Sequence, residues 1–459
     1  MSEIIRRCAR EDIELVRLLY TGNDGVARGR VVAADSIETF LEDGSNLTKA
    51  MQSFTAFDQL DPDGPYGPAG EVRLVPDPAT FRALPYADGA AVMLCDLYEL
   101  DQTPWAADPR SMLQSYLADL ADEGFEPQTA FESEFYYVKE TDGDDTDGFV
   151  PLDDSLCFAS DGMQHSHPII RDTISALDQQ GMALSAYYPE LGPGQQELVI
   201  EHAPGIDAAD AQVLYRETVK AVAQQHDVTA TFVPKPFPDG PGSGCHIHLS
   251  LWDGETNVFH DPNAEGPYGL SDRGRHFIGG VLEHAPALLA LTTPTVTSFH
   301  RLQPHMWASA YACWGQDNRE AAVRVPSGSW SDPASSARIE FKPSDNTANP
   351  YLALLGLLAA GMDGIDRELD PGEPVNQDPG NLSEDERTER GIERFPETLA
   401  EAVDALEADA VLAEAMGETL HETYVSLKRS QWDAYQAQVD SWEAGSVTEW
   451  ERNGLRRGF

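Results

Sequence analysis

The chain has 459 residues, which predicts about three domain-sized units, and 41% of them are hydrophobic, ample for a packed core. Its 78 Asp and Glu against 31 Lys and Arg give a net charge of -47, spread along the chain and not confined to a tail. Such a surface excludes nucleic acid and anionic membranes as partners. It is similar to surfaces bathed in saturating salt, where counterions screen self-repulsion, so the expectation is a halophilic, cytoplasmic protein that melts higher in molar KCl than in dilute buffer. The cysteines, Cys8, Cys95, Cys157, Cys245 and Cys313, are odd in number and form no CxxC pair. That predicts reduced thiols, not a disulfide scaffold or a zinc ribbon. No apolar run follows Arg6 and Arg7, so no signal peptide is expected, and no stretch reaches the length of a membrane span.

In chain order, Ile13 to Tyr20 and Val26 to Ala33 predict a hairpin around the turn residues Gly22-Asn23-Asp24-Gly25. A short helix follows, then a polar loop, Glu42-Asp43-Gly44-Ser45-Asn46. Glu71 to Val75 and Ala90 to Leu97 read as strands, closing a small α+β domain near Trp105. Asp108-Pro109-Arg110 starts a helix running to about Glu123, with proline at an early helical position. Phe131 to Lys139 is a strand, and Thr141 to Gly148 an acidic turn without the glycine of a calcium loop. Ile169 to Gly181, Ala208 to Gln225, Arg273 to Leu291 and Leu352 to Ile365 are helical by period. Residues 366–390 form a charged surface excursion, and Thr398 to Trp450 is mostly amphipathic helix. No P-loop, HExxH or GxSxG occurs.

The chemistry concentrates around Lys235 to Trp252, KPFPDGPGSGCHIHLSLW. After a Pro/Gly loop the residues alternate. Cys245, Ile247, Leu249 and Leu251 share one face; His246, His248, Ser250 and Trp252 share the other. Two imidazoles and a hydroxyl beside a glycine loop suit a meeting of metal and phosphate, against the competing reading of a strand with two satisfied histidines. Glu132 and Glu134 also share a strand face, where like charges repel unless a cation sits between them. Glu190 and Glu197 bracket the Gly192-Pro193-Gly194 turn, and Arg338, Glu340 and Lys342 alternate on one face. Five glutamates and His246 are an oxygen-rich set suited to magnesium or manganese. Arg301, Arg319, Arg324 and Arg338 cluster in a chain poor in basic residues, and with metals they imply polyphosphate chemistry.

These motifs resemble those of the glutamine synthetase family. EDGSN resembles its DGSS loop, FESEFYYV its E-x-E-F strand, and ELGPGQQE its second glutamate pair. KPFPDGPGSGCHIHLSLW resembles its GSG-x-H-x-H signature; NREAAVRVP and ARIEFKPSDNTANPYLALLGLLAAGMDGI resemble its arginine segment and last glutamate strand. The resemblance implies an α+β fold, with an N-terminal β-grasp domain over residues 1–105 and a larger catalytic domain over 106–459 built on a curved antiparallel sheet flanked by helices. It implies a homo-oligomeric ring, two stacked hexamers, with active sites between subunits. One Mg2+ or Mn2+ would sit on Glu134, Glu190 and Glu197, and another on Glu132, His246 and Glu340. His248 and Ser250 would help hold ATP, with Arg338 near the nucleotide. Gly242 and Arg301 would hold glutamate, and Arg319 and Arg324 would neutralise the transferring phosphoryl group. Asp43 of a neighbouring subunit would face the amine.

The chain departs from the family on one side of the site only. The family's flap reads R-L-V-P-G-Y-E; here it is Arg301-Leu302-Gln303-Pro304-His305-Met306-Trp307. Trp307 stands where the family has a glutamate that takes a proton from ammonium, which an indole cannot do. Its face can accept a cation or an organic amine. Lys342 replaces an arginine that touches glutamate, and Pro241 an asparagine beside Gly242. The expectation is an ATP-dependent ligase that makes a γ-glutamyl amide through γ-glutamyl phosphate, with an amine larger than ammonia. The alternatives are ordinary glutamine synthesis and a catalytically silent structural or regulatory homologue.

Overall fold

Alternating apolar and polar residues build two sheets, which lie in a computed structural model describing residues 3–140, 149–264, 268–439, 441–456 and 458–459. The expected acidic turn, Thr141 to Gly148, falls outside the described residues. The first sheet is mixed. Its strands run Ala27–Ala33, Leu15–Thr21, Ala90–Tyr98, Glu71–Pro76 and Ser45–Thr48 in space, with Arg82–Ala83 on the side. Leu15–Thr21 pairs antiparallel with Ala27–Ala33 and parallel with Ala90–Tyr98. The segment expected as a polar loop divides here. Asp43 ends the helix Ile37–Asp43, Gly44 turns at φ +64°, and Ser45–Thr48 becomes an edge strand.

The hairpin turn docks on the rest of the chain. Asp24 accepts two hydrogen bonds from Arg28, and Gly25 (φ +84°) presses so closely on the Thr347 carbonyl that no side chain fits there. A second tie is Arg110, 3% exposed, whose guanidinium reaches Asp96 at 2.6 Å, Asp210 at 2.8 Å and Asp77 at 2.9 Å. One buried cation thus clamps the first sheet (Asp96) to the helix Gly205–Gln225 (Asp210). Removing it would leave three carboxylates facing one another.

The second sheet carries the strand order Trp314–Gln316, Val323–Val325, Ile339–Phe341, Cys245–Asp253, Glu126–Glu140, Gln195–Ile200, Leu184–Pro189. It is antiparallel except at one edge, where Trp314–Gln316 runs parallel to Val323–Val325. The central strand is longer than the sequence predicts, because Glu126 to Ala130 pair with residues 248–252, and Gln128 and Thr129 also with Ala203–Pro204. One face of this sheet packs on the helix Gly205–Gln225 through Phe131, Phe135, Ile247, Leu249 and Tyr215. The helix expected from Ile169 begins at Ser160 and carries Pro168 in its interior. Thr398 to Trp450 resolves into Leu399–Ala408, Ala410–Met416, Glu418–Gln436 and the start of Glu449–Leu455.

Behind the sheet, Asp272–Thr292 and the almost wholly buried Pro350–Asp366 cross at Gly280 and Gly364. A β-carbon at either glycine would strike the opposite backbone. Gly280→Ala must push the helices apart, so it is expected to lower stability by about 2 kcal/mol or more, read as a fall in melting temperature.

Lys428, on Glu418–Gln436, is 0% exposed and its Nζ has no hydrogen bond among the described residues; it lies 5.0 Å from the Tyr424 ring. Burial pushes its pKa down to about 8, against the pull of Asp24 and Asp345. The unfolded chain therefore binds more protons than the folded one between pH 8 and its ordinary value of 10.5, and stability rises with pH through that window. Lys428→Met is expected to melt above the parent chain at pH 7 and to lack its relative gain between pH 8 and 10.5; thermal unfolding of both across that range checks it.

Candidate active site

Register brings the acidic residues together. On one sheet face His246 lies opposite Glu132, Glu134 opposite Glu197, and Glu340 opposite both His248 and Arg324. Residues directly opposite on adjacent strands point to the same side, and so do residues two apart on one strand. A row of five strands therefore presents Glu197, Glu134, Glu132, His246, His248, Glu340 and Arg324 to one place. Glu190 joins from the turn beyond Leu184–Pro189, where its N–H donates to the Gln195 carbonyl at 2.9 Å and its carboxylate accepts from the Leu191 N–H at 2.7 Å. Its charge acts on Glu197, as do those of Glu132 and Glu134.

The two ends of this row differ electrostatically. At one end Glu340, 1% exposed, meets Arg324 at 2.7 Å, His246 at 3.3 Å and Lys342 at 3.5 Å. Burial opposes its ionisation, but the Lys342 charge and the His246 contact hold its carboxyl well below the usual range. Glu132 contacts His248 at 3.3 Å and His246 at 3.5 Å, and these hydrogen bonds outweigh burial to lower its pKa. Between them His246 is raised, because the Glu132 and Glu340 contacts overcome burial and the Lys342 charge. At the other end the basic groups stand farther off: His246 Nε2 lies 3.8 Å from Glu134, and the His246 and Lys342 charges only partly offset the repulsion at Glu190. Burial, then the charge of Glu134, raises Glu190 to about 7. Burial, then Glu132 and Glu134, push Glu197 well above the carboxylate range, with the Tyr188 hydroxyl donating to it.

Divalent cations fit this donor set. The Glu134, Glu190 and Glu197 end gathers repelling carboxylates that a cation would relieve. At the other end, donor atoms of Glu132, His248 and Glu340 lie within 4.8 Å of one another. The sequence expectation put His246 there. Its Nδ1 does face Glu132 and Glu340, while its Nε2 lies 3.3 Å from the Lys342 ammonium.

A cavity of about 540 Å3 opens beside this end, lined by Glu132, His202, His248, Ser250, Trp252, Ser336 and Arg338. It unites three residues expected near the nucleotide: His248, Ser250 and Arg338, whose Nε donates to His248 Nδ1 at 3.1 Å. Arg301, 4% exposed, donates to the Ser344 carbonyl at 2.6 Å. Its side chain packs against Gly242, where a β-carbon would collide with it. Arg319 is exposed and forms no ion pair among the described residues. Asp43 is exposed on the first sheet's helix and makes no hydrogen bond or ion pair to any of these groups among the described residues. Trp307 is 64% exposed, on a flap where His305, Trp307 and Ser309 all have left-handed backbone (φ +64°, +55° and +66°).

Several supporting residues escaped sequence reasoning. Gln195 Nε2 donates to Glu134 at 3.2 Å and to the Gly242 carbonyl at 2.9 Å, and the Gly244 N–H donates to Glu134 at 2.9 Å. Asn346 bridges the Glu134 and Gly244 carbonyls. Glu320 accepts the Trp307 backbone N–H at 2.8 Å. Gln195 and Glu320 lie inside the ELGPGQQE and NREAAVRVP motifs, and that position was the available signal.

Residues 2–105 match the family described as glutamine synthetase N-terminal domain, and 106–447 match its catalytic domain. The chain belongs to the glutamine synthetase family. It is 38% identical over 380 residues to the glutamine synthetase of Methanocaldococcus jannaschii, covering 82% of each chain. It is 36% identical over 446 residues to that of Halobacterium salinarum, covering 96% of this chain and 94% of the relative. Among solved structures, a novel glutamine synthase homolog superposes with TM-score 0.82 at 33% identity, covering 93% of this chain and 96% of that one. A protein described as GmaS, bound to ADP, superposes with TM-score 0.82 at 29% identity, covering 99% of both. This family member is thus an ATP-dependent ligase with the glutamine synthetase fold. Its family uses ATP and divalent metal ions and assembles into oligomers. No helix among the described residues is long and apolar enough to cross a membrane.

The electrostatic asymmetry yields a prediction. Glu197→Gln removes one buried, repelled carboxylate, so in chelator it should melt several degrees above the parent chain. With Mn2+ it should lose most of the parent's cation-induced stabilisation, and calorimetric melting with and without Mn2+ checks both.

Proposed function

We propose that this synthetase-family chain joins glutamate to an amine larger than ammonia, through γ-glutamyl phosphate. The observation that carries this reading is Trp307, an exposed indole on the flap where the family has a carboxylate. The neighbours described as GmaS carry a name other than glutamine synthetase, which leaves room for this reading within the family. The curated relatives, named glutamine synthetase, favour the second reading, ordinary glutamine synthesis.

In the proposed roles, Gly242, Arg301 and Lys342 hold glutamate. Arg301 is desolvated, which strengthens its grip on a carboxylate. His248, Ser250 and Arg338 bind the nucleotide, and Arg319 and Arg324 balance the transferring phosphoryl charge. Two or more Mg2+ or Mn2+ ions, held by Glu134, Glu190 and Glu197 and by Glu132, Glu340 and His246, would neutralise the nucleotide phosphates. The γ-carboxylate oxygen of glutamate attacks the γ-phosphorus and ADP leaves. The amine nitrogen then attacks the acyl carbon and phosphate leaves. Asp43 of a neighbouring subunit faces the amine, which requires a ring, a dodecamer by family resemblance. The flap excludes water from the acyl phosphate.

Release of ADP in molar KCl with glutamate, Mg2+ and a panel of amines tests the reading. Turnover is expected with an organic amine such as a polyamine, ethanolamine or an aryl amine, and to exceed that with ammonia. Turnover with millimolar ammonia and no organic amine would reverse the ranking. Glu134→Ala should abolish ADP release, and Trp307→Glu should move the amine preference toward ammonia; an unchanged amine profile would remove Trp307 from the specificity argument.

A further inference from the structure

The flap lacks a carboxylate at position 307, yet a buried carboxylate touches it there. Glu320 is 7% exposed, and its Oε1 accepts the backbone N–H of Trp307 at 2.8 Å. Its own N–H is held by Asn318 Oδ1 at 3.0 Å, fixing it beside Arg319. The groups facing it are His305 on the flap, which pairs with Asp378 at 2.6 Å, Asp378 itself, and Lys342. Lys342 reaches Glu340 at 3.5 Å, and its charge acts on Glu320 as well. No cationic side chain within 4.0 Å pairs with Glu320 among the described residues, and burial, then the Asp378 charge, raise its carboxyl. A desolvated carboxylate with one neutral donor has lone pairs left for an incoming cation.

We propose that Glu320 is the residue that receives the amine, entering from the turn before Val323–Val325 the place that a flap glutamate would reach from position 307. The inference rests on the ligase reading above. The amine arrives as R–NH3+. Glu320 takes one proton, becoming neutral, and leaves R–NH2 with a free electron pair. That pair attacks the acyl carbon of γ-glutamyl phosphate, and the carbon–oxygen bond to phosphate breaks with its electrons on phosphate. The amide nitrogen gives its surplus proton to the departing phosphate. The exposed indole of Trp307, the residue whose backbone N–H Glu320 holds, offers its face to the hydrocarbon body of the amine.

Glu320→Gln separates this role from a structural one, because the amide oxygen can still accept the Trp307 N–H. In the full chain with ATP, Mn2+ and glutamate, the variant is expected to lose about a hundredfold in kcat/KM for the organic amine, with KM for ATP and for glutamate unchanged. Hydroxylamine is already neutral at neutral pH and needs no proton acceptor, so hydroxamate formation should persist in the variant. Equal loss with hydroxylamine would make Glu320 a structural residue and overturn the inference. So would unchanged amine kinetics in the variant beside an active parent chain. A parent chain inactive with every amine and with ammonia would overturn the ligase reading and this inference together.

Discussion

Carboxylates that share one sheet face repel, and the architecture of this protein follows from where that repulsion is answered. The register of Cys245–Asp253, Glu126–Glu140 and Ile339–Phe341 forces Glu132 and Glu340 against two imidazoles and Lys342. Those basic groups keep both carboxyls ionised despite burial. The same register sets Glu134 opposite Glu197, with Glu190 arriving from the Gly-Pro-Gly turn, and there burial and like charge drive the carboxyls upward. A chain that merely folded would have no reason to keep such a group. Divalent cations would answer its stability cost, and those are what a polyphosphate substrate requires.

The same logic separates the two sides of the site. Under the proposed roles, the cavity residues assigned to the nucleotide, His248, Ser250 and Arg338, sit on regular strands or their edges. The amine side is built from loops, with three left-handed residues in the flap and a hydrogen bond from its backbone to Glu320. On that proposal, activation of a carboxylate and choice of the amine are held by different parts of the fold. The second can change while the first stays fixed.

Much of this was legible in the sequence because strands have a period of two. His246 and His248, like Glu132 and Glu134, had to share a face once each segment was read as a strand. Which strands would neighbour one another was not legible, since pairing is a long-range choice; for that the family resemblance was needed. It named His246 beside Glu132 and Glu340; the register brings both His246 and His248 to that pair of carboxylates. The helix expected from Ile169 starts at Ser160 and runs through Pro168, because its polar first half hides the apolar period. Glu320 sits in an irregular turn, where no period marks which way a side chain points, so only coordinates tie it to Trp307.

The central claim is that Glu132, Glu134, Glu190, Glu197 and Glu340, with an imidazole, form one cation-binding surface. Anomalous diffraction from crystals of the full chain grown with Mn2+ and a non-hydrolysable ATP analogue tests it most directly. The account predicts separate manganese peaks, one among Glu134, Glu190 and Glu197 and another among Glu132, Glu340 and His246 or His248, with the analogue's phosphates between them. Manganese bound elsewhere on the acidic surface, with no peak among these carboxylates, would contradict it.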